Sequence, residues 1–239
     1  MAKKEIVYQG ASYALSYEML NLSSSKTILF LHGWGSNKEI MKQAFGACFK
    51  GYRHLYLDLP GFGASSVHSV IDTLAYAQIV SHFLRVLEIE PDIIFGHSFG
   101  GKVATLLQPK QLVLLSSAGI VAPKSFKVKA KIALFKLLKP FAPKKFYRFF
   151  ATKDVEGMSK TMYEILKKVV NEDWSEYFLT CQSQTFIFWG KEDNATPFQS
   201  GKKMHQLIKN STFVPLDGDH FFFVRRAKEI EKLLLESGF

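Results

Sequence analysis

The chain has 239 residues, 47% of them hydrophobic, which is enough for one sizeable α/β domain with a real core and too apolar for a disordered chain. No apolar run is long enough to span a bilayer, and Met1-Ala2-Lys3-Lys4-Glu5 has no apolar stretch behind its two lysines, so neither a membrane span nor a signal peptide is expected. The net charge of +10 speaks of partners and solubility, not of fold, and leaves nucleic acid, an anionic membrane surface and an acidic protein open.

Residues 5–8 and 12–17 alternate in polarity and are split by Gln9-Gly10, which predicts a hairpin. Residues 27–31 are a continuous apolar run of the kind buried on both faces of a parallel sheet, and they end in His32-Gly33-Trp34-Gly35. A helix is expected over about 38–48 and a strand over 53–58. After Leu59-Pro60-Gly61-Phe62-Gly63-Ala64-Ser65, a long amphipathic helix is expected over about 69–88. A strand over 91–95 then runs into Gly96-His97-Ser98-Phe99-Gly100-Gly101, and a short helix over 102–107 is stopped by Pro109. Residues 111–115 form the next strand. This alternation predicts right-handed crossovers and a parallel sheet. From 117 to about 184 the strand rhythm gives way to a helical insert rich in Lys, Phe, Leu and Tyr. It resumes with a strand over 185–189, a helix near 197–208, a last strand over 211–216 and a helix over about 225–235. Cys48 and Cys181, far apart in apolar surroundings, read as buried thiols of a reducing cytoplasm.

A serine hydroxyl is a poor nucleophile unless it is presented sharply to a base, and a strained strand-turn-helix elbow does that. Gly96 and Gly100 let the helix and strand backbones approach. The helix N-terminus faces charge forming near Ser98. Alone, Gly-x-Ser-x-Gly also fits an ordinary strand-to-helix turn, so the other parts must be found. In elbow hydrolases the acid and then the histidine follow the nucleophile along the chain. The strand over 185–189 ends in Gly190-Lys191-Glu192-Asp193, where α/β sheets place ligands and catalysis. Asp193 is the favoured acid and Glu192 the competing one. His220, after the last strand and beside Phe221 and Phe222, is the one of seven histidines with the right order and setting. His54 and His205 read as structural or surface residues, His68 and His82 sit among polar residues, and His97 packs or bonds backbone. One oxyanion N–H is expected from Phe99 and the other from Trp34. Losing one such donor costs about 3–4 kcal/mol of transition-state stabilisation.

Together, His32-Gly33-Trp34-Gly35, the stretch from Asp58 to Ser65, Gly96 to Gly101, Trp189-Gly190 through Asp193 and Pro197, and Gly218 to His220 resemble the α/β-hydrolase superfamily. The resemblance implies an α/β-hydrolase fold: a mostly parallel eight-stranded sheet flanked by helices. The core would take residues 1–117 and 185–239, and a helical cap residues 118–184. Two departures stand out. The elbow helix is short, and Asp219 stands beside His220 where small residues are usual; its carboxylate would raise the histidine's basicity or touch substrate.

The loops His-Gly-Trp-Gly and Asp-Leu-Pro-Gly-Phe-Gly are most similar to the carboxylesterases that demethylate pimeloyl-acyl-carrier-protein methyl ester in biotin biosynthesis. They also resemble carbon–carbon bond hydrolases of ring-fission products of the 2-hydroxy-6-oxo-dienoate type. Those usually carry a Ser-Gly-Pro-type oxyanion loop, so Gly33-Trp34-Gly35-Ser36-Asn37 favours the esterase. Residues 121–150 hold Lys124, Lys127, Lys129, Lys131, Lys136, Lys139, Lys144, Lys145 and Arg148, no acidic residue, and interleaved Leu and Phe. This is either a solvated basic face over the pocket or a docking surface for acidic acyl carrier protein, with Lys124, Lys127, Lys131, Lys136, Lys144 and Arg148 as candidate contacts. A lysophospholipase at anionic membranes is a further alternative. Nucleic acid is disfavoured for want of a base-reading module. A non-catalytic binding relative would lack a triad member, and here Ser98, Asp193 and His220 are all present. The expectation is a monomeric cytoplasmic serine esterase with no metal and no cofactor.

Overall fold

Thr27–Leu31 and Ile93–His97 are buried along their whole length, and Gln111–Leu115 is buried in all but its first residue. Strands of that kind belong in the middle of a sheet covered on both faces. The computed structural model, which describes residues 1–121 and 158–238, contains that sheet. Its eight strands are β1 (Ala2–Tyr8), β2 (Ala11–Leu20), β3 (Thr27–Leu31), β4 (Arg53–Leu57), β5 (Ile93–His97), β6 (Gln111–Leu115), β7 (Gln184–Gly190) and β8 (Ser211–Leu216), in the order β1-β2-β4-β3-β5-β6-β7-β8. β2 is antiparallel to both β1 and β4, and every pair from β4 to β8 is parallel. Gln9 and Gly10, at φ 48° and 78°, form the two-residue turn of the first hairpin. One edge of the sheet is β1, with Lys3-Lys4-Glu5; the other is β8, with Pro215 opposite Trp189.

Side chains alternate across the sheet and build two cores. Leu29, Leu31, Leu55, Leu57, Ile94 and Leu114 pack under α2 (Thr73–Val86) and α3 (Phe99–Leu106). Ile28, Phe30, Tyr56, Phe95, Val113 and Phe188 pack under α1 (Lys38–Phe45) and the C-terminal helix Phe223–Glu236. α2 is shorter than the periodicity predicts. Asp72 Oδ1 accepts the Ala75 N–H at 2.9 Å and so caps the helix, while Ser69 turns to the Tyr13 hydroxyl at 3.1 Å. β5 begins and ends two residues later than expected, and α3 starts at Phe99 because the turn at Ser98 opens directly into it.

In the insert, α4 (Lys160–Val169) and α5 (Ser175–Leu179) are described. Lys124, Lys127, Lys131, Lys136, Lys144 and Arg148 lie outside the described residues. A buried charge joins the described part to the core. Lys102 of α3 donates Nζ to the Val169 carbonyl at 2.8 Å and to Glu172 Oε2 at 2.6 Å, and lies 4.2 Å from the centre of the Trp174 ring. The Thr73 hydroxyl donates to the same Glu172 oxygen. The remaining helices are α6 (Phe198–Leu207) and α7 (Phe223–Glu236). Cys48 and Cys181 are buried free thiols. Among the described residues no helix is long and apolar enough to cross a membrane.

Candidate active site

The parallel strands all end at one edge of the sheet, and the loops that leave it carry the site. β5 and β6 are paired through His97 and Leu115, so the chain must reverse sharply to enter α3. Ser98 makes that reversal at φ 49°, ψ −115°, a conformation that costs a non-glycine residue about 1–3 kcal/mol. Its N–H donates to the Leu115 carbonyl at 3.1 Å, and its carbonyl accepts from Gly101 and Ala118, both at 3.0 Å. A Cβ on Gly96 would lie 2.6 Å from the Gly100 carbonyl oxygen, and one on Gly33 only 3.0 Å from Ser98 Cβ. The loop after β3 therefore passes directly over the serine.

The loop after β7 holds the acid. Asp193 Oδ1 accepts the N–H groups of Ala195 at 2.8 Å and Thr196 at 2.9 Å. Its Oδ2 lies 2.8 Å from His220 Nδ1 and 2.8 Å from the Thr196 hydroxyl. Burial works to raise the carboxyl's pKa, but the hydrogen bond and charge of His220, the Thr196 N–H and the Ser116 hydroxyl outweigh it and hold it at about 2. Glu192 instead accepts the Gly218 N–H at 2.5 Å and staples the two loops together. Of the two competing acids, Asp193 is thus the one on His220. Asp219, the departure beside the histidine, accepts the Phe221 N–H at 2.9 Å and shapes the turn into α7; it makes no bond to His220.

A carboxylate can only accept, so His220 presents Nδ1–H to Asp193 and keeps Nε2 as an acceptor. Its main-chain carbonyl lies 3.0 Å from His97 Nε2, and the two rings are 4.6 Å apart. Among the described residues no hydrogen bond joins Ser98 Oγ to His220; such bonds are often long until substrate is bound.

The two backbone N–H groups expected to serve an oxyanion are those of Phe99 and Trp34. That of Phe99 opens α3 and has no intrahelical partner. That of Trp34 is aimed by its neighbour: the Gly33 carbonyl accepts from His32 Nδ1 at 2.8 Å, and His32 Nε2 accepts the Leu59 N–H at 3.0 Å. A trans peptide then points the Trp34 N–H away from His32. Burial lowers the His32 pKa to about 4, so the ring stays neutral in this role. The Trp34 indole packs edge-on to Phe62 at 4.9 Å and Phe99 at 5.5 Å. Sequence reasoning missed Thr196, which stands three residues after the acid, as well as Ser116 and the brace made by His32. The Asp-x-x-Thr spacing of a side-chain-capped turn was the available signal for Thr196.

An imidazole with a free Nε2, oriented by a carboxylate that stays ionised, can act as a general base. A strained serine beside two backbone donors can act as a nucleophile next to an oxyanion site.

Residues 28–233 match the model of a family described as the alpha/beta hydrolase family. The AB hydrolase superfamily protein YisY of Bacillus subtilis is 25% identical over 248 residues, covering 90% of this chain and 92% of that protein. A pimeloyl-[acyl-carrier protein] methyl ester esterase of Photorhabdus laumondii is 31% identical over 81 residues, covering 34% of this chain and 30% of that protein. The solved esterase EaEST of Exiguobacterium antarcticum superposes with a TM-score of 0.73 at 20% identity, covering 94% of this chain and 95% of that one.

Proposed function

Because this chain belongs to the alpha/beta hydrolase family, we propose that it is a serine esterase with Ser98, His220 and Asp193 as its triad. The observation that carries the reading is the 2.8 Å bond between Asp193 and His220, formed from two loops 27 residues apart at the strand ends beside Ser98. Ser98 Oγ attacks the ester carbonyl as His220 Nε2 takes its proton. The N–H groups of Trp34 and Phe99 hold the oxyanion. The imidazolium, stabilised by ionised Asp193, then protonates the departing alkoxide. In the second half, His220 activates water, which releases the acid and restores the serine. No cofactor is needed for any of these steps.

The proposed substrate is an acyl methyl ester carried by acidic acyl carrier protein, pimeloyl-acyl-carrier-protein methyl ester being the first candidate. Two things support this choice: the partial identity with the Photorhabdus laumondii methyl ester esterase, and the cationic run over residues 121–150, whose charge would steer an acidic partner. The test compares kcat/KM for methyl pimeloyl-carrier protein with that for carrier-free dimethyl pimelate, at low and high salt. A carrier preference that fades with salt is expected, together with loss of turnover in folded Ser98→Ala. Equal rates on the two esters would leave a small-molecule esterase or a carbon–carbon hydrolase. Turnover that needs anionic vesicles would point to a lysophospholipase. Near-normal activity in Ser98→Ala would overturn the mechanism.

A further inference from the structure

His97 precedes the serine and has no part in the chemistry proposed above, yet its ring is built into the site. It is 1% exposed and packs against His220 at 4.6 Å, Phe223 at 4.7 Å and Phe221 at 5.3 Å. Its Nε2 lies 3.0 Å from the His220 carbonyl oxygen. A carbonyl only accepts, so the ring carries its proton on Nε2. Nδ1 is then a bare acceptor, buried and without a partner among the described residues. On that side the ring lies against Gly33, where an added Cβ would come 2.8 Å from Nδ1.

An unpaired buried acceptor is unfavourable, and buried polar atoms without partners are uncommon in folded proteins. Phenylalanine would fill the same space among the same aromatic rings without leaving one. What phenylalanine lacks is the Nε2–H. That donor has a specific target: the main chain of the residue read here as the base. Asp193 fixes the direction of the His220 ring. Nothing in that bond fixes the backbone from which the ring hangs, which follows Gly218 at φ 131° in the loop between β8 and α7. The bond from His97 ties this loop to the last residue of β5, one peptide from the nucleophile.

We infer that His97 is a positioning residue, holding the His220 main chain in register with Ser98 through its Nε2–H and not through its bulk. The inference rests on the serine-esterase reading. A displacement of about 1 Å at a catalytic group can cost about a hundredfold in rate, so a single bond of this kind has leverage.

The test uses His97→Phe, which keeps the ring and removes the donor, and His97→Gln, whose amide can place an N–H near the Nε2 position. Two readouts are taken on folded protein: kcat and KM for p-nitrophenyl butyrate, and the rate of fluorophosphonate labelling. Wild type should label and Ser98→Ala should not. If wild type does not label, the serine-esterase reading falls, and this inference with it. His97→Phe should lose at least about tenfold in kcat and in labelling rate, part of the 10²–10⁴ a positioned base contributes, with KM nearly unchanged. His97→Gln should recover most of both. If labelling is normal in wild type and His97→Phe matches it, the inference alone is overturned. Equal loss in both variants with raised KM overturns it too, in favour of packing. Should His97→Phe fail to fold, His97→Asn replaces it: its shorter amide cannot reach, and Asn matching Gln would sink the idea.

Discussion

Two loops at the carboxyl edge of the sheet are each pinned by a buried carboxylate, and they differ in one respect. After β4, Asp58 accepts the Lys38 N–H at 2.8 Å, the Ala64 N–H at 3.1 Å and the Lys38 ammonium at 2.8 Å. That ammonium is itself sealed at 2% exposure and reaches Ser16 Oγ at 3.2 Å. After β7, Asp193 collects the Ala195 and Thr196 N–H groups, the Thr196 hydroxyl and His220. The first network closes on backbone N–H groups and a lysine ammonium, so it can only hold shape. The second ends in an imidazole 15% exposed, with a nitrogen left over. One carboxylate braces the loop between Asp58 and Ser65; the other can stabilise a charge that comes and goes.

Exchanging each acid for its amide should separate the two cleanly. Asp193→Asn puts an NH₂ against His220 Nδ1, which reverses the tautomer and occupies Nε2 with a proton. A fall in kcat of about 1,000- to 10,000-fold is expected at little change in fold, as at the acid of serine triads. Asp58→Asn leaves the buried Lys38 charge with only the solvent-exposed Glu39 carboxylate, 3.6 Å away, as a counter-charge. The expected result is a loss of about 3–5 kcal/mol in urea denaturation, with kcat per folded molecule changing far less. If the two variants gave the same pattern, the distinction between closed and open networks would be void.

Acid should attack the two regions together. Burial lowers the folded-state pKa of His32 to about 4 and that of His97 to about 3, from an ordinary 6.5. The unfolded chain therefore binds more protons below pH 6.5, and stability rises with pH across that window. The contribution of these neutral rings is complete above pH 6.5 and is lost as pH falls toward 4 and then 3. Asp193 extends the slope, its share being lost between 3.8 and about 2. Denaturation midpoints measured from pH 7 to pH 4 should fall continuously; a flat profile would contradict the buried neutral rings.

The smallest effect is expected at Thr196. Thr196→Val removes the hydroxyl 2.8 Å from Asp193 Oδ2 and leaves the backbone N–H in place. It should lower kcat by about tenfold, the lower end of what a hydrogen bond to a charged group contributes. A steady-state comparison with Asp193→Asn checks this ranking.

The central strands were legible because they are continuous apolar runs bounded by glycine, proline or polar turns. Residues 27–31 and 111–115 fall where the pattern puts them, and the edge strand over 211–216 does so as well. Helix starts were harder. Ser69 and Asp72 are both good caps on paper, and only the Ala75 N–H shows which one serves. Gly100 and Gly101 are poor helix formers, so the first turn of α3 did not read as helix. Asp193 and Glu192 are neighbours with the same chemistry, and the choice between them needed the Gly218 and His220 partners. The Lys102–Glu172 pair joins residues 70 apart, beyond the reach of any local period. The domain limits proposed at 117 and 185, and the roles of the cap lysines, rest on sequence alone.

The two margins of the sheet have a consequence for how the protein behaves at high concentration. An open sheet edge offers a row of backbone groups on which another strand can grow. β1 presents Lys3-Lys4-Glu5 along that row, and β8 interrupts it with Pro215, which has no N–H to give. A chain with 14% aromatic residues and a core of stacked phenylalanines would otherwise be a candidate for edge-to-edge polymerisation. Its margins are chemically blunted instead, and colloidal dispersion is guarded where the backbone is most adhesive.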